Sequence, residues 1–245
     1  MTLTPGAPDS KLRPRFGSPA ADVKLRSLGK GTAQGFDPVA GRLALGPAPG
    51  EGRPFVITRS GPDRPHDVLV IDRDGDGALD HDAPVLGGVR EGQAEAWKTF
   101  KVTLQLPVGD GGTEPYDIAL WVVVKDVADV PKTARFRGTG YRRGQLRIEE
   151  ELFDVVLSDA DNDGVFGAGD RWALRRALDE TMYRLHAARD VGDFAWAKGG
   201  AWTLELDSPA GRTARLLPVD PGVTQDEDER RRDPFWEDRR APRAE

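Results

Sequence analysis

Four aspartates between positions 159 and 170 are spaced like the ligands of a single metal ion. Asp159, Asp161 and Asp163 alternate, Gly164 follows them, and Asp170 stands at the twelfth position. Calcium takes about six to eight oxygen ligands, and a loop of about twelve residues can supply them if a glycine at its sixth position allows the sharp turn. We call residues 159–170 loop 2. The predicted ligands are the carboxylates of Asp159, Asp161, Asp163 and Asp170 and the backbone carbonyl of Val165.

The other positions of loop 2 fit the same interpretation. Phe166, at position 8, is expected to point into the core, and Asn162, at position 4, can stabilise the turn. Gly167, at position 9, has no side chain, so water would fill that ligand position. Aspartate at position 12 is shorter than the usual glutamate, so we expect a tighter loop or one oxygen fewer, and a weaker site. The alternative is an acidic surface turn, because Asp and Gly are common turn residues.

A second acidic stretch, residues 72–82, matches the pattern less completely, and we call it loop 1. The alternating aspartates and the glycine at position 6 are present, but position 12 is Ala83. Asp80 at position 9 or Asp82 at position 11 could complete the ligand shell instead. The predicted ligands are Asp72, Asp74, Asp76, Asp80, Asp82 and the backbone carbonyl of Ala78. The alternative is a degenerate acidic turn that binds no ion.

The two loops lie in an internal repeat. Residues 67–77 align with residues 154–164, and six of the eleven positions are identical. Each copy is predicted to be a strand that runs into an acidic loop, with another strand before it. The repeat therefore predicts two related halves, at about 41–130 and 131–222.

A strand followed by Asp-x-Asp-x-Asp-Gly resembles the EF-hand-type calcium loops of bacterial dockerin-like and thrombospondin-type-3-like modules. This resemblance covers about a dozen positions in each loop. The rest of the chain loosely resembles uncharacterised exported bacterial proteins with the same layout. The resemblance implies one or two bound Ca²⁺ ions. A loop closed by aspartate suits the roughly millimolar calcium found outside the cytoplasm, so we expect a periplasmic or extracellular location. Residues 1–15 contain no signal-peptide core, and the cytoplasm remains the alternative.

The composition argues against several other kinds of site. The chain has no cysteine and three histidines, and His66, His81 and His186 do not have the spacing of zinc ligands. A net charge of −6 is a poor basis for nucleic-acid binding, which needs a basic face. No apolar run approaches the roughly 18 residues of a membrane span, so we expect no membrane insertion.

Short apolar or alternating runs between turn residues predict a mainly β fold. The predicted strands lie at 55–58, 68–71, 99–106, 118–124, 145–148, 152–157, 202–206 and 214–219. One helix is predicted between Trp172 and Arg189, where apolar residues recur at intervals of three and four. We therefore expect antiparallel sheets that form a sandwich of two related halves, each with a strand and a calcium loop, and one α-helix.

Both ends of the chain have the composition of loosely ordered segments. Residues 1–40 are rich in Gly, Pro, Ala and basic residues, with one strand predicted near 21–25. Residues 223–245 contain a charge run and are predicted to be a tail or linker. A protein partner or a downstream domain could bind through this tail.

We expect a non-enzymatic, calcium-stabilised module with a structural or accessory role in the cell envelope. The sequence contains no catalytic motif, and the run Glu149–Glu151 is expected to be a solvated hairpin turn. A glycosidase-like hydrolase with structural calcium is one alternative. A calcium sensor is another, although sensors expose Met-rich grooves and this chain has two Met.

Overall fold

The computed structural model describes residues 1–6, 19–28, 35–46, 52–79, 82–89, 93–107, 112–177 and 188–232. These residues form four antiparallel sheets and one helix, so the predicted mainly β class is confirmed. The strands are β1 (Thr4–Pro5), β2 (Ala21–Lys24), β3 (Arg26–Ser27), β4 (Phe36–Leu43), β5 (Arg53–Arg59), β6 (His66–Ile71), β7 (Val85–Leu86), β8 (Gly88–Val89), β9 (Lys98–Pro107), β10 (Thr113–Val122), β11 (Thr133–Gly138), β12 (Arg142–Ile148), β13 (Glu151–Ser158), β14 (Arg171–Arg176), β15 (Arg189–Asp190), β16 (Phe194–Ala197), β17 (Gly200–Leu206) and β18 (Ala214–Val219), and the helix is α1 (Gln225–Arg232).

The chain divides into two compact units. The first unit contains residues 17–140 and 159–165, and the second contains residues 1–16, 141–158 and 166–245. This division differs from the continuous halves expected from the repeat. The reason is that strands distant in sequence share a sheet: β1 pairs with β12, and β2 pairs with β11. Such pairing depends on backbone hydrogen bonds, which the apolar pattern of a short strand does not reveal.

The first unit packs two five-stranded sheets around one core. The strand orders are β3-β4-β5-β6-β7 and β2-β11-β10-β9-β8. The predicted alternation in β9 is confirmed, since every second side chain from Phe100 to Leu106 is buried. The largest fully buried side chains from the two sheets are Leu43, Phe55, Ile57, Leu69, Ile71, Phe100, Leu104, Ile118 and Leu120.

The second unit contains a five-stranded sheet, β1-β12-β13-β14-β15, and a three-stranded sheet, β16-β17-β18. Its main core cluster surrounds Trp172, which is fully buried. The buried members of this cluster are Leu3, Val155, Leu157, Phe166, Trp172, Ala195, Leu204 and Ala214.

A hairpin precedes each acidic loop, as the repeat predicts. Strands β5 and β6 pair directly before Asp72, and β12 and β13 pair directly before Asp159. The second hairpin closes with the pair Ile148 and Glu151, so its turn has two residues, as expected for the acidic run there. Glu149 has a left-handed backbone (φ 52°), which a two-residue hairpin turn requires.

The predicted helix from Trp172 is wrong for its first five residues, which lie in strand β14. Trp172 and Leu174 are two residues apart, so they also fit the alternation of a strand. They pair with Leu157 and Val155 of β13, and this tertiary pairing decides the conformation. Residues 178–187 of the predicted helix lie outside the described residues.

Part of the predicted tail is ordered and forms α1. The hydroxyl and backbone N–H of Thr224 both donate to Glu227, and the Glu227 N–H donates back to the Thr224 hydroxyl, which is a capping box. Near the end of the helix, Arg232 forms ion pairs with Asp193 (2.7 Å) and Asp228 (2.6 Å). Residues 233–245, with Trp236, lie outside the described part of the chain. Within that part, no helix is both long and apolar enough to cross a membrane.

Candidate metal centre

Loop 2 brings three carboxylates together at the end of strand β13. One oxygen each of Asp159, Asp161 and Asp170 lies within 4.8 Å of the others. Asp159 and Asp170 are buried, at 2% and 1% exposure, whereas Asp161 is exposed. This spacing allows all three oxygens to reach one ion at the roughly 2.3–2.6 Å of a calcium–oxygen bond.

Hydrogen bonds from the loop backbone to its own aspartates shape loop 2. Asp159 accepts from the N–H of Asn162 (2.6 Å, Oδ1) and of Gly164 (2.9 Å, Oδ2). Asp161 Oδ1 accepts from the N–H of Asp163 (3.2 Å), and Asp163 Oδ1 accepts from the N–H of Val165 (2.7 Å). The first three aspartates therefore each satisfy backbone donors that the tight turn would otherwise leave unpaired.

Loop 1 makes the same four hydrogen bonds at the same positions. Asp72 accepts from the N–H of Gly75 (2.6 Å, Oδ1) and of Gly77 (3.1 Å, Oδ2). The N–H of Asp76 donates to Asp74 (3.3 Å), and the N–H of Ala78 donates to Asp76 (2.8 Å). Oxygens of the three aspartates again lie within 4.8 Å of one another.

Both loops use left-handed backbone at positions 4 and 6. The φ angles are 88° at Gly75 and 85° at Gly77 in loop 1, and 65° at Asn162 and 78° at Gly164 in loop 2. Glycine and asparagine adopt this conformation at the lowest cost, which explains the residue types.

Asn162 has a second function that its position in the loop does not reveal. Its side-chain Oδ1 accepts from the backbone N–H of Gly138 (2.7 Å), and its Nδ2 donates to the carbonyl of Pro19 (2.7 Å). The chain's single asparagine thus connects the loop to two other segments of the first unit.

Burial dominates the electrostatics of loop 2. It raises the pKa of Asp159 to about 6, although hydrogen bonds from Tyr116, Gly164 and Asn162 act in the opposite direction. Burial also raises the pKa of Asp163, and the neighbouring Asp161 adds to this effect. A raised carboxyl pKa means that the anion is poorly solvated, and a cation would relieve this cost.

The remaining ligands predicted for loop 2 are Asp170, Asp163 and the carbonyl of Val165. The Oδ2 of Asp170 accepts from the N–H of Gly167 (2.9 Å), and its backbone carbonyl accepts from Val191 (2.8 Å). Asp163 lies beside Asp161 but is outside the group of three clustered carboxylates. The carbonyl of Val165 stays a predicted ligand, and Phe166 is buried in the core as expected.

Position 12 of loop 1 is alanine, so Asp80 and Asp82 are the candidates to complete its ligand shell. Asp82 is close enough for Asp72 and Asp74 to affect it: burial raises its pKa, and those two charges raise it further. Its Oδ2 is buried and has no hydrogen-bond partner among the described residues. Asp80, the other candidate, and His81 lie outside the described residues.

Two residues at these loops were missed by the sequence reasoning. The Tyr116 hydroxyl donates to Oδ2 of Asp159. Arg53 lies beside Asp72, with Nη1 3.3 Å from its backbone carbonyl and 3.7 Å from its Oδ1. Each contacts the first aspartate of a loop from a different strand, so no local motif could have identified it.

Comparisons of the chain with protein-family models, with curated proteins and with solved structures found no match.

Proposed function

We propose that this protein binds calcium at loop 2, and more weakly at loop 1, and that the ion stabilises a non-enzymatic module. The observation that carries this proposal is the clustering of three carboxylates within 4.8 Å in each loop. Like charges at this separation repel one another, and a divalent cation offsets that repulsion.

The donor set favours calcium over softer metals. The clustered ligand atoms are all carboxylate oxygens, which suit hard cations such as Ca²⁺ and Mg²⁺. Magnesium demands a near-octahedral shell at about 2.0–2.1 Å, whereas calcium accepts more ligands and looser geometry. A loop that can add a backbone carbonyl from Val165 or Ala78 to its carboxylates suits calcium better.

A structural function follows from where the ligands are held. Asp159 is fixed by Tyr116 and two backbone donors, and Asp170 is fixed through Gly167 and Val191. An ion that binds only the folded chain stabilises it by about 2.7 kcal/mol at a hundredfold excess over Kd. We propose an extracytoplasmic setting, where calcium is abundant enough to keep a site of modest affinity filled. No observation among the described residues favours the hydrolase or the sensor.

The test is calorimetric titration of the chelator-treated full chain with calcium, together with thermal melts. Wild type should bind up to two ions and melt at a higher temperature with calcium. Asp161→Ala should remove the tighter site, and Asp74→Ala should remove the weaker one, because alanine offers no side-chain oxygen. Asp63→Ala, at an exposed aspartate outside both loops, is the matched control and should bind like wild type.

Two results would contradict the proposal. One is a wild-type protein that shows neither binding heat nor a shift in melting temperature. The other is an Asp161→Ala, Asp74→Ala double variant that binds calcium like wild type. A parallel titration with magnesium tests the choice of ion, and we expect weaker binding.

A further inference from the structure

We propose that Arg53 acts as an internal cation of loop 1 and keeps the affinity of that loop for divalent ions below that of loop 2. This inference rests on the proposed function, because it concerns the relative affinities of the two calcium loops. Arg53 would thus set the affinity of loop 1, although it lies outside both loop motifs.

The position of Arg53 is well defined. It is the first residue of β5 and is 6% exposed. Its Nη1 donates to the backbone carbonyl of Asp72 (3.3 Å), and its Nη2 donates to the carbonyl of Gln105. A Cβ atom at Gly75 would lie 2.8 Å from Nη2, so the guanidinium packs directly against the backbone of loop 1.

The charge of this guanidinium acts on the predicted ligands. Burial lowers the pKa of Arg53, while Asp72, Asp74 and Asp82 raise it by attraction. Three of the carboxylates available to an ion in loop 1 are thus already interacting with a positive charge. Arginine stays protonated at any physiological pH, so this charge is permanent.

The expected size of the effect follows from distance. Nη1 is 3.7 Å from Asp72 Oδ1. An ion bound to that oxygen at about 2.3–2.6 Å would lie no more than about 6 Å from Nη1. Even with the dielectric constant of water, charges of +1 and +2 at about 6 Å correspond to roughly tenfold weaker binding.

At the equivalent place in loop 2, the donors to the first aspartate among the described residues carry no charge. The first aspartate there accepts hydrogen bonds from the Tyr116 hydroxyl and from the N–H groups of Asn162 and Gly164. These donors are neutral, so they orient Asp159 without repelling a cation. The two loops share their backbone hydrogen bonds and differ in the residue that contacts the first aspartate.

Arg53 also explains how loop 1 can keep its conformation without an ion. Its charge offsets part of the repulsion among the carboxylates, which a bound cation would otherwise offset. We infer that loop 1 is held mainly by arginine and loop 2 mainly by calcium.

The test uses the full chain with Asp161→Ala, which removes a ligand oxygen from loop 2, so that any calcium binding measured by calorimetry comes from loop 1. In this background, Arg53→Gln should raise the calcium affinity about tenfold. Arg53→Lys keeps the charge and should remain within about threefold of the arginine parent. The gain in Arg53→Gln should shrink as salt is added, because salt screens the charge. Arg53→Met is the second neutral variant if Arg53→Gln does not fold.

Each outcome decides the proposal. Equal or weaker binding in the neutral variants, or no binding to loop 1 in any variant, overturns it. If the neutral variants fold only when calcium is present, the ion has replaced the arginine, as we expect. If they fail to fold even with calcium, Arg53 is a structural residue and the proposal is wrong. Loop 2 binding in the chain with intact Asp161 shows separately whether the proposed function holds.

Discussion

Tyr116 in strand β10 donates its phenolic hydrogen to the buried carboxylate of Asp159, which lies 43 residues later in the chain. The first ligand position of loop 2 is therefore oriented from outside the loop. Both residues are buried, so the hydrogen bond has little competition from water. The sequence motif places an aspartate at this position, and Tyr116 determines how its carboxylate is held.

Tyr116→Phe should destabilise the protein. The substitution removes a donor to a charged group, and such hydrogen bonds contribute about 1.5–3 kcal/mol. Chemical denaturation without calcium should show a lower free energy of unfolding by roughly this amount. Tyr141→Phe is the control, because Tyr141 is also buried and its hydroxyl has no partner among the described residues. An equal loss in both variants would mean that the Tyr116 hydrogen bond is not responsible.

Gly164→Ala should lower the free energy of unfolding more than Gly77→Ala does. Both glycines occupy position 6 and have nearly the same φ, 78° and 85°. Both changes force alanine into left-handed backbone, at about 1–2 kcal/mol. At Gly164 the new Cβ would also lie 2.3 Å from Cδ1 of Leu106, whereas at Gly77 nothing lies within 4 Å. Overpacking adds about 1–3 kcal/mol. The free energies of unfolding should differ accordingly.

A second substitution checks the cause of that difference. Combining Gly164→Ala with Leu106→Ala removes the atom that the new methyl group would meet. The double variant should lose less stability than the sum of the two single variants. Strict additivity would show that the contact with Leu106 does not explain the cost.

Asn162→Ala should destabilise more than Asn162→Gly, and the pair of variants separates two effects. Both remove the side-chain hydrogen bonds to Gly138 and Pro19, and each lost bond costs about 1–3 kcal/mol where the partner stays buried. Alanine is also strained in the left-handed backbone, whereas glycine is not, and this strain adds about 1 kcal/mol to the loss of stability. Thermal melts without calcium should show both losses in that order. Stability equal to wild type in Asn162→Gly would mean that the side-chain bonds contribute nothing.

His66 should make the fold less stable in mild acid. Burial lowers its pKa, and this outweighs the opposing hydrogen bond from Nε2 to the carbonyl of Asp37 (2.8 Å). Arg59 lowers the pKa further, and the carboxylates of Asp37 and Asp67 raise it. The unfolded chain therefore takes up a proton near pH 6.5 that the folded chain still excludes.

The sign of the pH effect follows from this difference in proton binding. The contribution of His66 to stability should fall as pH drops below about 6.5, by at most about 1.4 kcal/mol per pH unit for one proton. Asp159, whose pKa burial raises to about 6, acts in the opposite direction in the same range, so the His66 contribution is the difference between wild type and a variant without His66. Unfolding in denaturant between about pH 7.5 and pH 5 measures the slope. His66→Gln should reduce the slope by its His66 contribution, and an unchanged slope would show that His66 does not titrate in this range.

Much of each candidate site follows from local sequence. The alternating aspartates and the residue types at positions 4 and 6 arise from constraints within a few residues, namely left-handed backbone and side chains that satisfy nearby N–H groups. Gly75, Gly77, Asn162 and Gly164 have the backbone conformation that such a loop requires. The hairpins before each loop are also local, because adjacent strands pair through short turns.

Only the tertiary structure decides which residues contact these loops from elsewhere in the chain. Arg53 and Tyr116 contact Asp72 and Asp159 from other strands, 19 and 43 residues away in sequence. The same kind of long-range pairing places Trp172 in a strand, although its apolar spacing also fits a helix. The spacing of the aspartates by itself determines where ions could bind. Tertiary packing places a positive guanidinium at one loop and a neutral hydroxyl at the other. The sequence alone could not predict either contact, because contacts between distant strands leave no periodic pattern in it.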